Sequence, residues 1–155
     1  MPFQISALPA ELFSHLFDQP DDVLRAHGAK RIFADECPGF PCRISLQDAT
    51  VGESVLLLNY EHQPARSPYR SNHAVFVREG AVQAEPRPNE VPDQLRRRLL
   101  SIRAFDREGM MIDAEVVEGA DLEPLVERML ANQRVDYLHA HHAKPGCFGA
   151  RIDRR

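Results

Sequence analysis

Short apolar stretches separated by proline, glycine and polar residues run the length of the chain, and their periods distinguish strands from helices. Alternating or continuous apolar runs predict strands near residues 3–8, 32–34, 54–62, 74–78, 100–106, 110–117, 135–141 and 147–153. Apolar stripes at helical spacing predict helices near residues 9–17, 21–28, 93–99 and 121–130. This mixture predicts an α+β fold: a mixed, mainly antiparallel sheet with helices packed on one face. A length of 155 residues predicts a single domain over residues 1–155.

The hairpin over residues 100–117 illustrates how the pattern predicts a register. A three-residue loop, 107–109, would place Gly109 where such hairpins favour a positive φ. That register pairs Arg103 with Asp113 and sets apolar residues opposite apolar ones. We therefore expect Arg103 to take part in an ordinary cross-strand ion pair.

The last hairpin carries the most chemistry. Tyr137, His139 and His141 alternate with apolar residues, so they share one face of their strand. A turn with an odd number of residues pairs His141 with Cys147 and makes the apolar faces of both strands coincide. Cys147 and Arg151 then project to the same side as the two histidines.

Composition and charge restrict the cellular context and the partners. The longest apolar run, Val55–Leu58, is far shorter than the roughly 18 residues of a membrane span. The N-terminus lacks the basic and apolar segments of a signal peptide. Three cysteines, an odd number, argue against a disulfide framework and favour a reducing, cytoplasmic location. A net charge of −4 argues against binding to nucleic acid or to anionic membranes.

Two histidines of the last hairpin, His139 and His141, are candidate metal ligands. His139 and His141 stand two apart on one strand, and Cys147, His62 or His73 could complete a set for zinc or iron. The alternative is that these histidines hydrogen-bond to their neighbours or line a wet edge. The spacing alone leaves both interpretations open.

The polar connection over residues 63–72 is a candidate anion site. It holds Arg66, Tyr69 and Arg70, and the planar guanidinium group suits carboxylate or phosphate. The alternative is a surface loop whose arginines pair with acids such as Glu61. The full set of predicted ligand-binding residues is Arg43, Tyr60, His62, Arg66, Tyr69, Arg70, His73, Tyr137 and Arg151.

Thiol chemistry is a further possibility at Cys147. A neighbouring histidine and Arg151 would stabilise its thiolate, as nucleophilic cysteines require. A buried, inert thiol is the competing interpretation. The candidate catalytic residues are accordingly His139, His141 and Cys147.

Several phrases of the sequence resemble a bacterial family catalogued as domain of unknown function 1203. They are LLLNYEHQP at residues 56–64, SPYRS at 67–71, His73, YLHAH at 137–141, and Gly146 with Cys147. The resemblance implies a small bacterial protein and carries no activity with it. From the residues we expect binding of, or catalysis on, a small anionic molecule; a non-catalytic protein-interaction domain and a His/Cys metal-binding protein are the alternatives.

Overall fold

The computed structural model describes residues 2–155. Its strands are β1 (Phe3–Ser6), β2 (Lys30–Phe33), β3 (Ser54–Gln63), β4 (Ser71–Arg78), β5 (Leu99–Phe105), β6 (Met111–Glu118), β7 (Tyr137–His142) and β8 (Phe148–Arg154). Its α-helices are α1 (Asp21–Ala26), α2 (Asp93–Arg96) and α3 (Leu122–Ala131). Short 3₁₀ turns occupy Ala10–Leu12, Ser14–Leu16 and Gly119–Asp121. None of the helices in residues 2–155 has the length and apolar character that a membrane crossing needs.

The strands form two antiparallel sheets. One has five strands in the order β1-β8-β7-β5-β6, and the other has three in the order β2-β3-β4. The α+β class and the mainly antiparallel pairing are therefore confirmed, whereas the expectation of one sheet was wrong. Packing of the helices on one face stays a prediction.

The chain divides into two compact units. The first comprises residues 2–6, 61–73 and 85–155, and the second comprises residues 7–60 and 74–84. The five-stranded sheet and α3 belong to the first unit, and β2 belongs to the second. A single domain over the whole chain stays a prediction.

Apolar alternation builds the core of the first unit. In β5, Leu100, Ile102 and Ala104 are completely buried, as are Leu138 and Ala140 in β7. The helix predicted after Asp121 is α3, and its stripe is buried as the spacing indicated: Leu122, Leu125, Val126, Met129 and Leu130. Each fully buried side chain of this size contributes about 1.5–3 kcal/mol, so this core fixes the sheet whose other face carries the polar chemistry.

The first predicted helix is a pair of 3₁₀ turns, and its expected α-helical stripe was wrong. Phe13 and Leu16 are buried, whereas Leu12 is half exposed. Buried residues three apart fit a helix with three residues per turn, on which positions i and i+3 lie above each other. The spacing that suggested an α-helix therefore serves a tighter turn.

Glu79 ties together several segments of the second unit. Its carboxylate accepts hydrogen bonds from Arg31 Nε at 2.6 Å, from the Ser54 hydroxyl and from the backbone N–H of Asp18 at 2.7 Å. The hydrogen bond from Arg31, followed by those from Ser54 and Asp18, lowers the pKa of Glu79 to about 2, although burial opposes the shift.

We predict that Glu79→Gln makes the protein less sensitive to acid. A carboxylate whose pKa is lowered on folding stabilises the protein above its ordinary pKa of 4.5. That contribution, on the order of 1–2 kcal/mol, is lost as the pH falls from about 4.5 towards 2. Urea unfolding at pH 7, 4.5 and 3 should therefore show a shallower decline in unfolding free energy for the variant. Glu85→Gln, which alters an exposed carboxylate, should leave the wild-type decline unchanged, and equal declines in all three proteins would contradict the prediction.

Candidate functional site

Three imidazole rings meet on one face of the five-stranded sheet. His139 and His141 project from β7 and are 3% and 1% exposed. His62, near the end of β3, supplies the third ring and is 8% exposed. The ring centroids are 4.9 Å apart for His62 and His141, and 6.1 Å apart for each of the other two pairs. We call His62, His139 and His141 the histidine cluster.

The faces predicted for the two strands of the last hairpin are correct away from the turn and wrong next to it. Ala140 pairs with Ala150, so an apolar residue faces an apolar one, as the odd turn predicted. The exact partner differs, because an uninterrupted ladder from His141 and Cys147 would set Ala140 opposite Phe148. His141, however, pairs with Phe148, and its predicted pairing with Cys147 was wrong. The ladder is interrupted at this point by a β-bulge, in which one strand gains a residue relative to its partner.

Gly149 is the extra residue of this bulge. A Cβ atom added at this position would lie 3.1 Å from the carbonyl oxygen of Ala140 and 3.2 Å from Nε2 of His142. These separations are tighter than ordinary van der Waals contact, so glycine suits the close approach of the two strands. A glycine within a strand pattern is the sequence signal that could have indicated the bulge.

The bulge brings Phe148 onto the histidine face, although its predicted place was among the apolar residues opposite. Its ring stacks on that of His62 at 5.6 Å with an interplanar angle of 10°. It meets the edges of the other two rings at 5.1 Å for His139 and 5.9 Å for His141. Phe148 therefore forms an apolar wall against all three imidazoles.

Hydrogen bonds assign the tautomers of two of these rings. His141 Nδ1 lies 3.0 Å from the carbonyl oxygen of Gly146, which can only accept, so Nδ1 carries the hydrogen and Nε2 the lone pair. The Ser71 hydroxyl donates to the carbonyl oxygen of Tyr69 at 2.9 Å. Ser71 Oγ therefore accepts from His62 Nε2 at 3.1 Å, and the lone pair of His62 is on Nδ1.

His139 and His141 are both held in the neutral form. Burial, together with the smaller effect of nearby charges, lowers the pKa of His139 to about 3; the contributing groups are His141, His62, Arg151 and Arg103. Burial likewise lowers the pKa of His141 to about 3, although the hydrogen bond to the backbone of Gly146 opposes the shift. At neutral pH these rings offer lone pairs and N–H groups, and no charge.

Arg103 is a residue of this face whose role was missed. A register shift in the β5–β6 pair places it opposite Ala114, so its predicted pairing with Asp113 was wrong. On its other side it pairs with His139 of β7. Its Nε donates to the Ser101 hydroxyl at 3.3 Å, and no carboxylate in residues 2–155 forms a salt bridge with it.

Burial lowers the pKa of the Arg103 guanidinium, which is partly removed from water and has no carboxylate partner in the described part of the chain. One feature of the sequence could have indicated a special role for Arg103. It is the only charged residue in β5, whose sequence is LLSIRAF. A lone cation in a strand that is otherwise largely apolar indicates a position with a specific electrostatic role.

A shallow cleft lies between the β3–β4 loop and the β5–β6 turn, with a volume of about 530 Å³. We call it the arginine cleft, and its lining residues are Ala65, Arg66, Ser67, Pro68, Arg107, Glu108, Gly109, Met110 and Tyr137. Arg66 and Arg107 come from the two different segments and are both exposed. Neither forms an ion pair or a hydrogen bond through its side chain within the described part of the chain. The cleft thus has two guanidinium groups available to a ligand.

Close packing holds the two sides of the cleft together. The Ser67 hydroxyl donates to the carbonyl oxygen of Gly109 at 2.8 Å. Gly109 has a φ of 77°, and a Cβ atom added there would overlap the Cβ of Ala65. The predicted positive φ at Gly109 is confirmed, and the absence of its side chain also allows the loop to approach.

Tyr137 belongs to both the cleft and the histidine face. Its hydroxyl accepts a hydrogen bond from the Gln63 side-chain amide at 2.8 Å, and its ring lies 5.2 Å from that of His139. The guanidinium of Arg151 lies 4.1 Å from the centre of the Tyr137 ring and also forks onto the Asp153 carboxylate. Arg151 is thus engaged twice by its neighbours.

The other predicted residues of the first unit are distributed around this face. Tyr69 meets the ring of Phe105 edge-on at 6.2 Å. Arg70 pairs with Glu61 at 3.2 Å, as the surface-loop alternative proposed. His73 is near enough for its charge to lower the pKa of His141.

Three further predicted residues have different settings. Arg43 is completely buried in the second unit and donates to the carbonyl oxygen of Pro41. Tyr60, also in the second unit, contacts the ring of Phe13 edge-on at 5.9 Å, and burial raises its pKa. Cys147 is buried in the first unit with a reduced thiol. Their roles as ligand or catalytic groups stay predictions.

Fold and site together define a small α+β protein with a histidine- and aromatic-rich sheet face beside an arginine-lined cleft. The chain belongs to the family described as "Protein of unknown function (DUF1203)", whose model matches residues 39–154. No curated protein and no solved structure gives a match to the chain. Because the family description assigns no activity, function has to be inferred from the geometry of this chain.

We predict that Gly109→Ala is more damaging than Gly80→Ala. Both glycines have a φ of 77°, so the two variants carry the same backbone strain, whereas only the new Cβ at Gly109 meets another atom within 4 Å. Overpacking against Ala65 should cost about 1–3 kcal/mol beyond that strain. Chemical denaturation of both variants measures the difference. Equal losses in unfolding free energy would show that the close approach of loop and turn is not a constraint.

Proposed function

We propose that this protein binds a small anionic molecule, carrying a carboxylate or phosphate group, in the arginine cleft. The observation that carries the proposal is the presence of Arg66 and Arg107 on two separate segments, both without an ionic partner in residues 2–155. Guanidinium groups bind carboxylate and phosphate through paired, charge-assisted hydrogen bonds. Two of them on opposite sides of one cleft can clamp a single anion.

The balance of charge in the cleft supports an anionic ligand. The chain as a whole has a net charge of −4, yet the cleft lining has two arginines against one acid, Glu108. A positive site on a negative protein attracts anions locally while the overall charge disfavours polyanions such as nucleic acid. The preferred ligand is therefore small.

The size and construction of the cleft also suit a small molecule. A volume of about 530 Å³ falls within the usual range of small-molecule sites. Its loop is fixed to the β5–β6 turn by the contacts at Gly109, so binding needs little ordering of the backbone. Tyr137 forms a rigid part of the lining, because its ring is held by stacking on Phe105 and by the Arg151 guanidinium.

We also propose that this is a bacterial protein located in the cytoplasm. The odd number of cysteines, all of them free thiols, supports a reducing compartment. Participation of Tyr69, Arg70, His73 and Arg151 in binding stays a prediction, as does catalysis by His139, His141 and Cys147. His139 and His141 are buried, so the arginines of the cleft are more accessible to an anion than these two rings are.

We expect Arg66→Ala and Arg107→Ala each to weaken anion binding by about 10-fold or more, because a hydrogen bond to a charged group contributes about 1.5–3 kcal/mol. Titration calorimetry with phosphate, pyrophosphate and citrate measures the affinity for the wild type and each variant. Arg134→Ala is the matched control, since Arg134 is exposed, lies outside the cleft and forms no side-chain ion pair within residues 2–155.

Two results would contradict the proposal. Affinity that falls equally in Arg134→Ala would indicate a non-specific charge effect. A wild-type protein that binds none of these anions, but is retained by a partner protein in pull-downs, would favour the alternative of a non-catalytic interaction domain.

A further inference from the structure

His139 and His141 each have one buried imidazole nitrogen that makes no hydrogen bond within residues 2–155. These nitrogens are Nδ1 of His139 and Nε2 of His141. A buried polar atom left unsatisfied costs about 1–3 kcal/mol, so such atoms usually contact a water molecule, an ion or a ligand. The tautomer of His141 makes its Nε2 an acceptor, which excludes an anion as its direct partner. A hydrogen-bond donor or a metal ion is required.

We propose that His62, His139 and His141 together bind one divalent transition-metal ion of the zinc type. Imidazole nitrogen is a preferred ligand of zinc, copper, nickel and iron, whereas magnesium and calcium prefer oxygen. Three histidines would leave a fourth coordination position open, which is the arrangement of catalytic rather than structural zinc sites. This site is separate from the arginine cleft and does not depend on anion binding there.

The spacing of the rings supports a shared ion. With metal–nitrogen bonds of about 2.0–2.1 Å and tetrahedral angles, the centroids of two ligating imidazoles lie about 5 Å apart. The observed separations are 4.9, 6.1 and 6.1 Å. The ring positions therefore need to move little for a single ion to be reached by all three.

The nitrogen atoms, in contrast, have to reorient. No three His, Cys, Asp or Glu side chains in the described part of the chain form a ready-made metal-binding group. A 180° flip of an imidazole exchanges nitrogen and carbon positions without displacing the ring. The His139 ring makes no hydrogen bond to other residues in 2–155, so its rotation breaks none. We infer that the metal completes the site by turning this ring.

The outer contacts of the cluster are those that metal-binding histidines commonly have. A ligating imidazole usually donates its other N–H to a carbonyl or another oxygen, which fixes the ring and its tautomer. His141 donates to the carbonyl oxygen of Gly146, and His62 donates to the Ser71 hydroxyl. Phe148 adds an apolar wall that restricts access of water. Neutral imidazoles are also the form that binds metal.

Nearby charges indicate what would occupy the open position. Arg103, Arg151 and His73 all lie close enough to affect the pKa of His139 or His141. The carboxylate of Asp153 balances Arg151, whereas Arg103 has no such partner in residues 2–155. A dication beside an unbalanced guanidinium favours an anionic fourth ligand, such as hydroxide or a carboxylate.

The test is a titration of untagged, chelator-treated protein with Zn²⁺ by calorimetry and with Co²⁺ by visible absorption. We expect one equivalent to bind and the Co²⁺ complex to show the intense visible bands of a four-coordinate site. His141→Gln and His139→Gln should each weaken binding by more than about 100-fold, beyond the 10–100-fold that loss of an outer contact costs. Circular dichroism checks that each variant is folded.

The chain offers a matched control for adventitious binding. His15 and His27 are exposed, and their ring centroids are also 6.1 Å apart. The double variant His15→Ala/His27→Ala should retain wild-type affinity. Three results would overturn the proposal. They are loss of Zn²⁺ binding in this control, Zn²⁺ binding that persists in the cluster variants, and a wild-type protein that binds no Zn²⁺. If the cluster variants do not fold, X-ray absorption of the Zn²⁺-loaded wild type decides, and fewer than three imidazole ligands would overturn it.

Discussion

The site described above depends on two interruptions of strand pairing in the five-stranded sheet. One lies between β7 and β8 at Gly149, and the other lies in the β5–β6 hairpin. Each extra residue reverses which side chains share a face beyond that point, because the pleat has a period of two. The first brings Phe148 against the histidines, and the second separates Arg103 from Asp113. Without these shifts Arg103 would lie opposite Asp113, and Phe148 would lie on the apolar face of β8.

The resulting face combines neutral imidazoles with a cation, Arg103, that has no counterion within residues 2–155. Burial makes protonation of His139 and His141 unfavourable, and the positive charge of Arg103 adds to that cost. A sheet face built only for stability would carry apolar side chains here, because unsatisfied polar atoms reduce the free energy of unfolding. Tyr137 connects this face to the arginine cleft, since its ring contacts His139 and also lines the cleft. Only Tyr137 would therefore separate a ligand in the cleft from the histidine cluster.

Much of this organisation could be predicted from the sequence, and the failures have a common cause. Alternation on β7 correctly grouped Tyr137, His139 and His141, and the helical stripe of α3 was correct in every buried position. Assigning faces by alternation assumes an uninterrupted β-ladder, however. The predicted positions of Phe148 and Arg103 were wrong for that reason. Whether a bulge forms depends on the packing of one or two residues, here on the close approach of the strands at Gly149. In the sequence, the glycine is the only sign of this bulge.

Contacts between distant segments were the other part that the sequence did not predict. The loop over residues 63–72 was correctly singled out as polar, but its docking on the turn at Gly109 depends on a contact between positions more than forty residues apart. Arg107 gained significance only through that contact, because in the sequence it is one charged residue in a hairpin turn. Local patterns give strands and their faces, whereas the partners of loops follow from tertiary packing.

The ionisation and tautomeric states of the buried histidines can be measured directly in solution. Long-range ¹H–¹⁵N correlation spectra of the histidine rings, recorded on metal-free protein from pH 8 to pH 4, report both. We predict that His141 is neutral with its hydrogen on Nδ1 throughout this range, and that His139 also stays uncharged. An imidazolium that forms near pH 6.5 at either ring, or a hydrogen on Nε2 of His141, would contradict this prediction.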